Sequence, residues 1–152
     1  SASTQFKSVI GCAFPTVANR FSSAGERHVV WLGPDEFLII CEAGKDAELA
    51  STLESTLKTQ HCAVTNITDA LAAFHLKGTA VRQVLAKGCA IDLHPGSFAS
   101  GDAAQTLLSH AAVTMLALSD NELIVICRTS FAPYMHDWLL DAALEYGVKF
   151  TK

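Results

Sequence analysis

The chain has 152 residues, half of them hydrophobic and 17% charged, and a formal net charge of −4. That length suits one domain or two very small half-domains, able to bury roughly two thirds of the unfolded chain's surface. Charge below the ~25% usual for soluble domains predicts apolar surface that meets another protein, and the lack of any basic block excludes tracking of nucleic-acid phosphates or binding to an anionic membrane.

Residues 1–27 open as SASTQFKS, with no charged region leading into a long apolar one, so they read as a partly irregular N-terminal segment and not as a secretory signal. Apolar runs are too short to span a bilayer. Residues 28–152 read as a single α+β domain. Within it, 29–32 is an apolar strand, Gly33-Pro34-Asp35 a turn and PDEFLIIC at 34–41 the returning strand, together a hairpin. Leu49, Leu53 and Leu57 then recur at helical spacing over 46–58, with Asp46 as a cap and Glu48, Ser51, Glu54, Ser55 and Lys58 outward.

A strand is expected at 63–67, a bend at Thr68-Asp69, and a second strand at 70–76 with Ala72, Phe74 and Leu76 on one face. Thr79 reads as the N-cap of a short helix with Val81, Val84 and Leu85 inward, and Gly88 as its left-handed C-cap. Residues 89–102, containing Pro95, Gly96 and Gly101, form an irregular loop; 105–113 returns to strand. A hairpin and a closing helix begun by Ser130 and Pro133 follow.

DNELIVIC at 120–127 repeats PDEFLIIC at an offset of 86 residues. Glu36, Ile40 and Cys41 recur as Glu122, Ile126 and Cys127, and Leu49, Leu53 and Leu57 as Met135, Leu139 and Ala143. Strand, turn, strand, helix thus occurs twice in register, over 28–58 and 114–144, which points to an internal duplication. Antiparallel strands interrupted by helices give an α+β fold with helices on one face of the sheet.

The five cysteines are odd in number and widely spaced, as expected of reduced thiols in a cytoplasmic protein. Cys41 and Cys127 should be buried, and Cys89, in the loop, should react first. Cys89, Asp92 and His94 could form an activated nucleophile; the plainer reading is a half-buried thiol, a capping Asp and a His before Pro. His61-Cys62 lacks a second pair at metal-ligand spacing, and His75 has no ligating residue two away on its strand face. The isolated glycines of GCAF, KGTA, PGSF and ASGD do not make the G-x-G-x-x-G run that would cradle a dinucleotide.

WLGPDEFLIIC, the NITDALAAFHLKGTAVRQVLAKGCAIDLHPGSF block, the AQTLL strand and SFAPYMHDWLLDAALEYG resemble the gamma subunit of heterotetrameric sarcosine oxidase over residues 28–147. The N-terminus looks shorter than the family's. That family is in turn similar to the N-terminal folate-binding domain of the glycine-cleavage T-protein, a duplicated α+β fold. The resemblance implies an architectural chain without catalytic residues, bound to alpha, beta and delta subunits that carry FAD, FMN, NAD and tetrahydrofolate and oxidatively demethylate sarcosine. In the T-protein an acidic residue of the fold holds the pterin, which makes Asp69 a folate-contact candidate beside its ordinary role in a turn. The alternative is then a free-standing tetrahydrofolate-binding or one-carbon-transfer domain. Candidate partner contacts are Asp92, His94 and Phe98 in the loop and Tyr134 and Trp138 on the last helix; Phe98→Ala is expected to spare the isolated fold.

Overall fold

The computed structural model describes residues 2–150 and divides into two compact units, one running to Thr68 and the other from Asp69. This boundary falls inside the stretch read as one domain, and it separates 28–58 from 114–144, the two segments expected to repeat. The fold is α+β, built on one three-stranded and one four-stranded antiparallel sheet.

The first unit contains helix α1 (Ala2–Ile10), strands β1 (Phe21–Ala24), β2 (Arg27–Gly33) and β3 (Glu36–Ile40), and helix α2 (Asp46–Thr56), with sheet order β1-β2-β3. Residues 1–27, expected to be partly irregular, thus supply a helix and an edge strand. The amphipathic spacing of α1 buries Phe6 and Ile10 against Val29 of β2, against Leu49 and Leu53 of α2 and against Leu57 just after it, so both helices cover one face of the sheet. The polar face of α2 is exposed as its spacing predicts. Asp46 is not the cap: it is the first helical residue, and its carboxylate accepts a 2.8 Å bond from Asn66 Nδ2. Arg27 grips Glu42 through Nε at 2.9 and 3.1 Å and donates from Nη1 to Val9 O, tying the end of α1 to the sheet. That bond holds the Glu42 carboxyl below the usual range.

Residues 63–67 form no strand. Asn66 Oδ1 instead accepts the Thr68 N–H, a local Asx bond that competes with strand pairing.

The second unit runs β4 (Leu71–Lys77), α3 (Val81–Ala86), β5 (Ala103–Leu108), β6 (Ala111–Ser119), β7 (Glu122–Arg128) and α4 (Ala132–Ala142), in sheet order β4-β7-β6-β5. Alternation places Val113, Met115 and Ala117 of β6 and Leu123, Val125 and Cys127 of β7 under Val81 and Leu85 of α3 and Met135 and Leu139 of α4. Ala72, Phe74 and Leu76 of β4 join them, as their period of two predicts. The expected strand over 105–113 is two strands. Ser109 and His110 form a two-residue turn between Leu108 and Ala111, with Ser109 at φ 53°. No Asn-Gly or Gly marks that turn, so the apolar run on either side conceals it. Neither Thr79 nor Ser130 caps a helix: Ala80 and Phe131 occupy those positions without side-chain bonds.

Cys12 and Cys127 are buried, Cys41 and Cys89 half-buried and Cys62 exposed, all five free. Burial pushes the thiols of Cys12, Cys41, Cys89 and Cys127 up, which reduces their thiolate fraction. Cys62 therefore replaces Cys89 as the expected first site of attack. Native-state labelling with a disulfide reagent at pH 8 should modify one thiol about tenfold faster than the next. Cys62→Ser should remove that phase, and its survival in the variant would contradict the assignment.

Candidate functional site

The candidate partner contacts lie in the second unit, on the loop at 89–102 and on α4. The loop leaves α3 at Gly88, whose conformation is not left-handed. Glycine is needed there for proximity: a Cβ would sit 2.6 Å from Trp138 Cζ2 and 3.3 Å from Ser109 N. Immediately afterwards the chain pairs with the end of β5, Ala90 N–H donating to Leu107 O and Ser109 N–H to Gly88 O.

From there the loop is held by its own polar groups. Asp92 accepts the His94 N–H at 2.9 Å and the Ser97 hydroxyl at 2.7 Å, and these bonds, Ser97 first, keep its carboxyl below the usual range. His94 Nδ1 accepts the Gly96 N–H at 3.0 Å, and Asp102 accepts the Ala99 N–H at 2.7 Å. Leu93 and Phe98 point inward and join the apolar core. Phe98, expected as an exposed anchor, is only 4% accessible. The loop's apolar residues serve the fold, and its polar residues at 92–97 face solvent.

The residue that sequence reasoning missed is Arg82, only 8% exposed. Its guanidinium donates to Leu93 O at 2.6 Å and Phe98 O at 2.8 Å, to Asp120 O at 2.8 Å and to Ser119 O at 3.3 Å. A signal existed: Arg82 stands three before Leu85, on the helix face that turns inward.

Cys89, Asp92 and His94 do not assemble as a nucleophile with its base. The Cys89 thiol meets Met115 Sδ at 3.8 Å, while Asp92 and His94 are occupied by the loop bonds above. His75 Nε2 lies 2.7 Å from Glu122 Oε1, with Lys77 Nζ 3.5 Å from the other oxygen; the His75 bond leads in lowering the Glu122 carboxyl. Among the described residues no three His, Cys, Asp or Glu side chains gather as a metal-holding group, and no helix is long and apolar enough to cross a membrane. Asp69 is exposed in a 3-10 turn, where its main-chain oxygen accepts the Thr129 hydroxyl.

Helix α4 buries Met135, Leu139 and Ala142 and packs the half-buried Trp138 between two apolar clusters. Lys87 Nζ donates to Ala142 O at 2.6 Å, pairs with Glu145 and lies 5.3 Å from the centre of the Tyr146 ring, so α3 and the end of α4 are pinned together. Tyr134 stays 37% exposed, with its hydroxyl 2.6 Å from that of Ser109. Phe131, Tyr134, Leu144, Tyr146, Val148 and Phe150 are all exposed, so large apolar side chains concentrate on the surface of this terminal segment.

The family model described as the sarcosine oxidase gamma subunit family matches residues 2–145. The chain is similar to sarcosine oxidase subunit gamma of Corynebacterium sp. (strain P-1), at 36% identity over 78% of this chain and 58% of the relative. To the subunit gamma of Corynebacterium sp. (strain U-96) it is 33% identical over 78% of this chain and 57% of the relative, and to that of Arthrobacter sp. 32% over 91% and 68%. It therefore spans a little under three fifths of the length of the first two relatives. A chain of the heterotetrameric sarcosine oxidase from Corynebacterium sp. U-96, solved in complex with pyrrole 2-carboxylate, has the same fold: TM-score 0.86 at 27% identity, over 99% of this chain and 77% of that one.

Proposed function

This chain belongs to the sarcosine oxidase gamma subunit family, and we propose that it is a non-catalytic, architectural subunit of a heterotetrameric sarcosine-oxidase-type complex. Its partners are then alpha, beta and delta subunits, which carry FAD, FMN, NAD and tetrahydrofolate and oxidatively demethylate sarcosine, and the five free thiols suit a cytoplasmic complex. The observation that carries this reading is the exposed apolar surface of α4 and the residues after it. Such side chains are the usual anchors of stable interfaces. Asp92 and His94 supply polar contacts beside buried Phe98, and Tyr134 an amphipathic one beside half-buried Trp138.

Co-expression with alpha and beta chains tests this directly. Phe131→Ala and Leu144→Asp each remove an exposed apolar side chain, so the isolated chain should melt within about 2 °C of the parent. Each variant should weaken co-purification by tenfold or more, as loss of an interface anchor does. Full recovery of both variants, or a complex that assembles and oxidises sarcosine without this chain, overturns the proposal.

A further inference from the structure

We infer that Arg82 is a positioning residue, holding the exposed tip of the loop, residues 94–97, in the shape that a partner subunit meets; the inference rests on the subunit reading above. Among the described residues Arg82 is the only polar or charged side chain that is buried. One nitrogen, Nη1, takes the carbonyls of both Leu93 and Phe98, which bracket the tip. The other side of the guanidinium is anchored on the β6–β7 turn, through Asp120 O and Ser119 O, with the Asp120 carboxylate 3.7 Å away. A planar fork of five donors fixes several acceptors at once, which a lysine ammonium cannot reproduce.

What the clamp holds is exposed: Asp92, His94, Pro95, Gly96 and Ser97 all face solvent, yet Asp92, His94, Gly96 and Ser97 are bonded among themselves. The core gains Leu93 and Phe98 from this loop, whereas the shape of the tip adds nothing to the core. A preformed tip lowers the ordering cost of association, because the segment need not be immobilised when the partner arrives. The partner chemistry that fits is a polar protein surface offering donors to the remaining lone pairs of the Asp92 carboxylate and a polar group to His94 Nε2, since the N–H groups of the tip are already bonded within the loop.

The test uses the full chain carrying Arg82→Met or Arg82→Lys, with amide exchange and association kinetics as readouts. Exchange at Gly96, Ser97 and Phe98, whose N–H groups bond His94, should accelerate at least tenfold more than at Val125 and Ile126 of β7. Association with alpha and beta chains should slow several-fold, and lysine should not rescue it. Uniform acceleration in loop and β7 would reduce Arg82 to a stability role, and selective loosening with unchanged association would remove the link to recognition; either overturns the inference. Failure of the parent chain itself to associate would instead sink the subunit reading, and the inference with it. Should both Arg82 variants fail to fold, Ser97→Ala loosens the tip from its exposed side, and unchanged association in that variant overturns the inference equally.

Discussion

Phe98→Ala should destabilise the isolated chain by about 3–5 kcal/mol, the usual cost of truncating a buried aromatic ring, and lower its melting temperature by roughly 10 °C for a chain of this size. Phe98 sits in a loop between Ser97 and Ala99, where sequence reasoning expects an exposed side chain and little effect. Its 4% accessibility and its place in the cluster with Leu93, Val81 and Leu85 reverse that expectation. The ring fills space that Ala cannot, so both transfer energy and packing contacts are lost. Chemical denaturation monitored by circular dichroism measures the change; a loss below about 1 kcal/mol would contradict the packing described. A consequence for assembly experiments is that weak co-purification of Phe98→Ala reports unfolding as much as a lost contact, so Phe131 and Leu144 are the sounder probes.

Gly88→Ala should cost about 1–3 kcal/mol, the range for overpacking a filled site. The backbone at Gly88 is of a kind any residue adopts, so the penalty comes from contact alone. The added methyl would lie 2.6 Å from Trp138 Cζ2, in a rigid ring flanked by two apolar clusters and unable to yield as a flexible chain end would. Displacement of that ring should red-shift the tryptophan fluorescence. In a Trp138→Phe background the same substitution should cost distinctly less, since the smaller ring leaves room; equal costs in both backgrounds would place the strain elsewhere.

Much of the fold was legible in the residues themselves. Leu49, Leu53 and Leu57 fix one helix by their spacing, and Val81, Val84 and Leu85 another; Ala72, Phe74 and Leu76 select the inner face of β4. The offset of 86 residues predicted a hairpin followed by a helix in each half, which is the form of β2-β3-α2 and of β6-β7-α4, and WLGPDE, KGCAIDLHP and WLLDAALEYG carried the family. Each of these signals is local, because a helix or strand writes its buried face into the chain at a period of 3.6 or 2.

Tertiary structure alone decided the rest. Whether Phe98 faces inward, whether Cys62 or Cys89 is the accessible thiol, and why residue 88 is glycine depend on what covers each position, and the covering residues stand far away in sequence. A loop has no period from which burial can be read. Arg82 belongs to both categories: its spacing from Leu85 turns it inward, but only the folded loop and the β6–β7 turn bring four carbonyls to a charge that would otherwise be unaffordable in the core.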